Sequence, residues 1–341
     1  MVIVTARNIQ GRIVQLAHET QADALLCAGD LYEHDRPSPD IEPFLRQTFA
    51  DLHPIRVFLS PGNHDWYGPH SHYRRVLWTD NVHVFQEPRL TPVTLADGVT
   101  LWGAAHCAPA GTPGFLSNFN VNRQGIHLGL FHGSERSWIT EQGEGKSLHA
   151  PFDAEEIVSA GLQHAFIGHY HRPRDADTHT YPGNPDPLSF GEDGERGAVE
   201  VTVLPDGGIR RQRHRVAVTQ VHDLAVDLTG CRSRLEVRER IANASAGKSG
   251  LARVTLSGEL APELDLRPAE LEDAGSCLAR LRIRVGDVHP GYDLETLAQE
   301  PTVRGQFVRD VCAADLLEET RRRVLLTGLR ALDGRDDLEV L

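Results

Sequence analysis

Short apolar runs alternate with helical patterns over the first part of the chain. Residues 6–20 carry apolar side chains at helical spacing, and Ala24–Ala28 is a wholly apolar run with the length of a buried strand. A second helical pattern over about residues 40–51 leads into a second apolar run, Ile55–Leu59. This order of helix, strand, helix and strand predicts βαβ units with parallel strands, and therefore an α/β fold.

More strands are predicted further along this first part. They are expected at residues 91–105 (a hairpin turning at Asp97-Gly98), 126–131, 164–167 and 197–216 (a second hairpin). Between them, Asp153 and Glu156 form a capping box, which predicts a short helix that ends near residue 160.

The pattern changes after about residue 217, where metal-capable side chains become rare. Strands are expected at residues 218–228, 251–256 and 278–285, with a helix that begins at Ser233 and a mostly helical segment over residues 302–332. Gly305 and Gly328 are its expected weak points. We therefore predict two domains, residues 1–216 and residues 217–341, the second a small α+β domain.

Metal-capable side chains directly follow the predicted strands of the first domain. They are Asp30, Asn63 with His64, His132, His169 and His171. Parallel strands bind ligands at their carboxyl ends, and carboxylate, amide and imidazole groups are all metal ligands. A single histidine at a strand end is more often a satisfied core or surface residue. His169 and His171 alternate, so they serve one site only if the backbone turns there, as Gly168 permits.

Composition excludes some function classes. A net charge of −13 and a pI near 5.7 argue against a protein that wraps nucleic acid electrostatically, although bound cations would reverse the potential inside a carboxylate-lined cleft. The five cysteines are far apart, which indicates reduced, buried thiols in a cytoplasmic protein. No apolar stretch approaches the roughly twenty residues that span a bilayer, and no signal peptide is recognisable, so no membrane association is expected.

Four short motifs in this order resemble signature blocks of the calcineurin-like metallophosphoesterases. They are Gly29-Asp30, Gly62-Asn63-His64-Asp65, His132-Gly133 and Gly168-His169-Tyr170-His171. Within that family, residues 29–39, the His132 block and the loop over residues 181–185 resemble the DNA-repair exonuclease branch, the SbcD-type and YhaO-like nuclease subunits. The resemblance is good over residues 6–216 and weaker beyond them.

The resemblance implies a fold and a metal centre. The fold would be a two-sheet β-sandwich flanked by helices, followed by a C-terminal α+β capping domain. Asp30 would bridge two divalent metals, with manganese as the expected ion. Asn63, His132 and His169 would complete one metal site, and His171 would belong to the other.

The resemblance also assigns roles outside the metal shell. His64 would be the catalytic proton donor or transition-state stabiliser, and Asp65 would either orient His64 or serve as a turn residue. One signature block, an Asp-x-His at the end of a first strand, has no counterpart before the first predicted helix. Either the true start lies upstream, which we favour, or the block has been lost. In both cases we expect the chain as written to bind one metal better than two.

The implied function is hydrolysis of DNA phosphodiester bonds by a metal-activated water, as in an exonuclease for double-strand-break repair. The implied partners are DNA, an SMC-like ATPase with long coiled coils, for which residues 302–332 offer one docking place, and a second copy of the chain in a homodimer. Two alternatives stay open. One is a small-molecule phosphatase or cyclic-nucleotide phosphodiesterase on the same scaffold, and the other is a catalytically impaired scaffold subunit.

Overall fold

A computed structural model describes residues 2–35, 38–142, 147–190, 192, 194–262, 264 and 266–334. The chain divides into two compact units, Met1–Thr219 and Gln220–Leu341, close to the predicted boundary at residues 216/217. Arg36 and Pro37, within the segment that resembles the exonuclease branch, lie outside the described residues.

The first sheet of the first unit has three parallel strands in the order β1-β2-β3. Its strands are β1 (Ala24–Cys27), β2 (Arg56–Leu59) and β3 (Val82–Val84), and the helices around them are α1 (Val2–Glu19), α2 (Ile41–Ala50) and α3 (His72–Arg75). The predicted βαβ arrangement is thus confirmed. β3 and α3 were not predicted, since a three-residue strand and a four-residue helix are too short to show a periodic pattern.

The second sheet has six strands in the order β4-β5-β6-β7-β9-β8. They are β4 (Thr91–Ala96), β5 (Val99–Gly103), β6 (Ile126–His132), β7 (His164–Gly168), β8 (Arg174–Asp175) and β9 (His179–Tyr181). The run β5-β6-β7-β9 is parallel, and an antiparallel strand lies at each edge. A 3₁₀ helix (Arg136–Gln142), the capped helix α4 (Ala154–Ser159) and a hairpin of β10 (Gly197–Val203) and β11 (Ile209–Arg215) complete the unit.

The two sheets pack face to face with helices outside. In β2, Phe58 points into the core between the sheets, where it meets Leu128 of β6 and Phe166 of β7. Its neighbours Val57 and Leu59 point the other way, into the core shared with α2. This alternation is what a strand covered on both faces requires. The predicted two-sheet sandwich flanked by helices is confirmed.

The second unit is an α+β arrangement around another three-stranded parallel sheet, in the order β12-β13-β14. Its elements are β12 (Val221–Asp227), α5 (Arg234–Ser245), β13 (Leu251–Leu260), a 3₁₀ helix (Pro268–Glu270), β14 (Arg280–Pro290), α6 (Leu294–Gln299), α7 (Val303–Ala313) and α8 (Glu318–Leu332). The helical segment breaks at residues 314–317, so the expectation that it weakens at its glycines is wrong. Gly328 lies inside α8, where a Cβ would overlap the ring of Phe307 in α7, so this glycine permits close helix packing.

Cysteine exposure differs from the expectation. All five thiols are free, but Cys277 and Cys312 are exposed, so buried thiols were wrongly expected at these two positions. In the part of the chain that the structure describes, no helix combines the length and apolar character needed to cross a membrane.

Candidate metal centre

The loop after β1 is held in a conformation that few residues adopt. Gly29 has φ +90°, and Asp30 follows with φ +56°, which is uncommon for a residue with a side chain. A Cβ at Gly29 would lie 2.7 Å from the amide nitrogen of Gly62 and from Nδ1 of His132. Only glycine therefore allows the loops after β1, β2 and β6 to come together. The positive φ at Asp30 marks local strain of the kind that clusters at functional sites.

A buried carboxylate ties two of these loops together. Asp65 is fully buried, and its oxygens accept hydrogen bonds from the backbone N–H groups of Asp30 (3.1 Å), Leu31 (2.7 Å) and Gly62 (2.6 Å). The Tyr73 hydroxyl donates a fourth bond, at 2.6 Å. Burial, together with the nearby Asp30 carboxylate, raises the pKa of Asp65 to about 6, although these hydrogen bonds oppose the shift. Of the two roles considered for Asp65, these bonds match the structural one.

Four of the five predicted metal ligands converge. Nε2 of His132 lies 3.2 Å from Oδ2 of Asp30 and 3.0 Å from Oδ1 of Asn63. Nδ1 of His169 lies 3.3 Å from the same Asn63 oxygen. His169 has φ +102°, so the chain does turn after Gly168. A Cβ at Gly168 would overlap the Ala28 carbonyl oxygen, which explains why glycine occupies that position.

Hydrogen bonds fix the orientation of the buried His132 ring. Its Nδ1–H donates to the Ala28 carbonyl at 2.8 Å, which leaves Nε2 directed at the Asp30 and Asn63 oxygens. His106, also buried, bonds the His132 carbonyl through Nε2 at 2.8 Å and Thr112 through Nδ1 at 2.9 Å. The bond from Nδ1 of His132 to the Ala28 carbonyl is the arrangement that usually orients a metal-binding imidazole, whereas His106 fixes the backbone of the same residue.

The electrostatics of the cluster follow from burial and proximity. Burial alone would raise the pKa of Asp30, but the adjacent His132 lowers it well below its usual range. For His132, burial lowers the pKa, but the Asp30 carboxylate more than compensates and raises it. Burial and the neighbouring His132 lower the pKa of His169 to about 2, and burial lowers that of His106 to about 4. His169 and His106 are therefore neutral at pH 7, and a neutral imidazole is the form that binds metal.

The donor set fits one divalent cation. Ligands at 2.0–2.2 Å from a cation lie roughly 3 Å from one another, and the measured spacings are 3.0, 3.2 and 3.3 Å. Counting only His, Cys, Asp and Glu, no group of three or more in the described residues is arranged to hold a metal. The Asn63 amide is therefore essential, because it links Asp30 and His132 to His169. One carboxylate, one amide oxygen and two imidazoles suit ions such as Mn²⁺, Fe²⁺ and Zn²⁺.

Comparison with known proteins shows a similarity over the residues that carry this centre. Residues 7–173 match the family model described as calcineurin-like phosphoesterase. The match covers just under half of the chain, so residues 7–173 are similar to calcineurin-like phosphoesterases. The members of this family hydrolyse phosphoesters with divalent metals, which agrees with the donor set described above.

One relative covers more of the chain. The "Uncharacterized metallophosphoesterase YhaO" of Bacillus subtilis (strain 168) is 25% identical over 228 residues, which make up 64% of this chain and 54% of the relative. The chain therefore spans about half of the length of this curated relative. The similarity extends beyond the residues that match the family model.

His171 makes a different set of contacts in the first unit. Its Nδ1 lies 2.9 Å from Oε1 of Glu192, whose other oxygen accepts hydrogen bonds from Asn184 and from the Leu188 amide, both at 3.0 Å. Burial raises the pKa of Glu192, but the His171 hydrogen bond and these others outweigh it and lower the pKa to about 2. No bond between His171 and the four converging residues is among those of the described part of the chain. Its role as a metal ligand stays a prediction.

His64 adjoins the four converging residues and has a solvent-exposed side chain. Its backbone N–H donates to Oδ1 of Asp30 at 3.0 Å, so its position is coupled to that carboxylate. Its side chain is 51% exposed, and Nδ1 lies 2.9 Å from Oε2 of Glu33. A carboxylate accepts the Nδ1–H and leaves Nε2 as the nitrogen that can exchange a proton.

Sequence reasoning missed several supporting residues, namely Glu33, Tyr73, His106, His149 and Glu192. Glu33 lies inside the segment that resembles the exonuclease branch, and its nearness in sequence to Asp30 is the one local signal for its position. The others contact residues that are distant in sequence, and no local sequence pattern indicates such contacts. An example is the bond between His106 and the carbonyl of residue 132.

Proposed function

We propose that this chain is a metal-dependent phosphodiesterase that degrades DNA from its ends, a nuclease of the DNA-repair exonuclease branch. The observation that carries the proposal is the convergence of Asp30, Asn63, His132 and His169 at the strand ends of a unit that is similar to calcineurin-like phosphoesterases. The DNA substrate is supported by the exonuclease-like motifs in residues 29–39 and 181–185.

These four residues would hold the cation, and manganese is the ion we expect. When bound, a divalent cation supplies Lewis-acid activation of water and neutralises negative charge on the phosphoryl group. Asp30 supplies the one formal negative charge among the four side chains, so it contributes most to attraction of the cation. The hydrogen bond that His132 donates from Nδ1–H to the Ala28 carbonyl keeps the ring in the tautomer that presents Nε2.

His64 would deliver a proton to the leaving oxygen of the ester. Its half-exposed ring is accessible to a substrate, and Glu33 fixes which nitrogen carries the exchangeable proton. Because the backbone of His64 donates to Asp30, the proton donor is positioned relative to the residue that binds the metal. The exposure of His64 also suits a polymeric substrate, which must reach the centre without being enclosed by the protein.

The partners remain part of the proposal. DNA carries one negative charge per phosphate, and the chain itself has a net charge of −13, so bound cations are needed to make the centre attractive to DNA. The second unit would contribute binding to DNA or to a partner. We further propose an SMC-like ATPase and a second copy of this chain as partners.

The test uses linear duplex DNA labelled at either end, the same DNA as a covalently closed circle, bis-p-nitrophenyl phosphate and p-nitrophenyl phosphate, each with Mn²⁺. We expect the linear duplex to be shortened from its ends while the circle stays intact. Hydrolysis of only the small esters would favour a small-molecule phosphatase or cyclic-nucleotide phosphodiesterase. No hydrolysis of any substrate by protein with bound Mn²⁺ would favour the scaffold alternative.

Variants distinguish the activity of this chain from that of a contaminating nuclease. Asp30→Asn removes the charge of the central ligand and should abolish shortening of DNA. His83→Ala is the matched control, because this imidazole lies on β3 against Phe58 and Phe85 and takes no part in the centre. DNA shortening that survives in Asp30→Asn would count against the proposal.

A further inference from the structure

Two aromatic rings from different loops stack on each other near His64. His34 lies in the loop after β1, and Trp66 lies in the loop after β2. Their ring centres are 4.0 Å apart and their planes are inclined by 33°, so the faces of the two rings are in contact. Both residues are partly buried. The stack therefore joins two loops that also carry side chains of the candidate site.

The stack directly adjoins the pair formed by Glu33 and His64. Glu33 immediately precedes His34, and His64 lies two residues before Trp66. Oε2 of Glu33 lies 2.9 Å from Nδ1 of His64, and the backbone N–H of His34 donates to the His64 carbonyl at 2.9 Å. A side-chain pair, a backbone bond and a ring stack thus connect residues 33–34 to residues 64–66.

The side-chain pair does not set its own geometry. The side chains of Glu33 and His64 are 65% and 51% exposed, so water competes for both groups. Exposed pairs of this kind contribute little to stability and are not held in one arrangement without support from their neighbours. The backbone bond from His34 fixes one point at which the two loops meet. The ring stack adds a second point of attachment, which restricts rotation of the loops about the first.

The backbone around Trp66 holds its ring at this place. The N–H of Tyr67 donates to the His106 carbonyl at 2.7 Å, and the N–H of Gly68 donates to the Trp66 carbonyl at 2.9 Å. A Cβ at Gly68 would lie 2.9 Å from Nε1 of Trp66, so glycine leaves the room that the ring occupies. On the other side, the buried carboxylate of Asp65 is bonded to the backbone of both loops. The ring of Trp66 is therefore carried by an anchored segment.

The contact with Trp66 accounts for the position of the His34 ring. Nδ1 of His34 is inaccessible to solvent and has no hydrogen-bond partner among the described residues. A buried nitrogen without a partner costs free energy, so this nitrogen does not explain why the ring lies there. The stacking surface does explain it. A phenyl ring at residue 34 would keep that surface and remove the unpaired nitrogen.

We propose that Trp66 is a positioning residue: stacked on His34, it holds Glu33 against His64 and so fixes the tautomer of the His64 ring. The proposal rests on the proposed function only for the role of His64 as proton donor. The ring stack and the loop contacts do not depend on which phosphoester is the substrate. Trp66 itself touches neither the substrate nor the cation.

The first measurement needs no substrate. In ¹⁵N-labelled, metal-free protein, at a pH where the His64 ring is neutral, the chemical shifts of its two nitrogens report which one carries the proton. We expect the Nδ1–H form in the wild type and a mixture of tautomers in Glu33→Gln and Trp66→Ala. Trp66→Phe and His34→Phe keep a stacked ring and should resemble the wild type. His83→Ala, which removes ring contacts on β3, is the control and should also leave His64 unchanged.

The second measurement is a double-mutant cycle on hydrolysis of bis-p-nitrophenyl phosphate with Mn²⁺. We expect Trp66→Ala to lower kcat about as much as Glu33→Gln, by about tenfold or less, with KM unchanged. The double variant should lose no more than either single variant, because both changes act on the same contact. Trp66→Phe should recover most of kcat. His34→Ala removes the stack from the other loop and should reproduce Trp66→Ala, so the result does not depend on the folding of one variant.

Three outcomes would overturn the proposal. They are unchanged nitrogen shifts of His64 in both Trp66→Ala and His34→Ala, losses of kcat that multiply in the double variant, and a rise in KM for DNA with kcat unchanged. The last result would mean that the Trp66 ring binds a base of the substrate instead. If the shifts change as expected but the wild type hydrolyses no phosphoester, the proposed function would fail while the positioning role of Trp66 would stand.

Discussion

The described residues form two three-stranded parallel sheets, and the strand ends of the first carry the candidate metal centre. In the first unit β1 runs into Gly29 and Asp30, and in the second unit β12 ends at Asp227, three residues before Gly230. Both ends use an aspartate and a glycine at positive φ. Residue types at the strand ends therefore do not separate the two sheets.

The surroundings of these residues do distinguish the two sheets. A Cβ at Gly29 would press on the loop after β2 and on His132, whereas a Cβ at Gly230 would meet nothing within 4 Å. The Asp30 carboxylate contacts His64 and His132, which come from other strand ends. Among the described residues, the bonds of the Asp227 carboxylate are to the N–H and hydroxyl of Thr229, two residues away, which is a local turn. We therefore expect a strand-end aspartate to be functional when several strand ends converge on it.

The strongest test of this contrast is the pair Asp30→Asn and Asp227→Asn. We expect Asp30→Asn to lose measurable binding of Mn²⁺ and to lose phosphodiesterase activity by a factor of about a thousand or more, because the metal supplies several kcal/mol of transition-state stabilisation. Asp227→Asn should keep both properties. Calorimetry and hydrolysis of bis-p-nitrophenyl phosphate give the two readouts, and equal losses in both variants would remove the distinction.

The next largest effect is expected when a side chain is added to a glycine at a strand end. Gly168→Ala forces a Cβ into the Ala28 carbonyl and separates the ends of β1 and β7, so we expect a loss of about 3 kcal/mol or more in the free energy of unfolding. Gly230→Ala meets no neighbour and should cost only the strain of its φ of +84°, about 1–2 kcal/mol. Urea unfolding of each variant measures both values. A milder effect at Gly168 than at Gly230 would show that the strand ends are not closely packed.

The sequence was most informative where its signals are local. Apolar runs and helical spacing located β1, β2, β6 and β7 and their helices, and the capping box at Asp153 and Glu156 is present as predicted. Asp30, Asn63, His132 and His169 could be named because each directly follows such a strand. Their convergence could be inferred only from the rule that parallel strands share a carboxyl edge and from the family resemblance.

The features that the sequence did not predict are tertiary contacts, between residues that are close in space without a local pattern in sequence. Asp65 lies beside His64 in sequence, yet its side chain turns to the backbone of Asp30 and Leu31, and Glu33 takes the place next to the ring. His149 ends a mostly polar segment, residues 135–149, that carries no periodic pattern. Residues 143–146 of this segment lie outside the described residues. The pairing of His149 with Ser134 is a tertiary contact without a periodic signal.

A smaller difference in the free energy of unfolding is expected between loss of a tyrosine hydroxyl that donates to a buried carboxylate and loss of one whose bond is exposed. Tyr73→Phe removes the hydrogen bond to the fully buried Asp65, and we expect a loss of about 2 kcal/mol, because a buried carboxylate would lose one of its donors. Tyr292→Phe removes an equivalent bond to Asp333, but that bond is exposed to water. We expect it to cost about 0.5 kcal/mol or less. Thermal and urea unfolding of both variants provide the values, and equal costs would mean that Asp65 does not hold the loops.

The smallest effect concerns the orientation of His64 rather than metal or fold. Glu33→Gln keeps the shape of the side chain but removes the carboxylate that accepts Nδ1–H, so we expect kcat to fall by about tenfold or less, below the 10²–10⁴-fold that a proton-transfer group itself contributes. Mn²⁺ affinity and the unfolding temperature should not change, whereas the pH–rate profile should. Glu318→Gln, which disrupts the exposed ion pair with Arg321 in α8, is the matched control with no expected effect. An unchanged pH–rate profile in Glu33→Gln would mean that His64 works without this partner, and the positioning role would then belong to the bond between its backbone and Asp30.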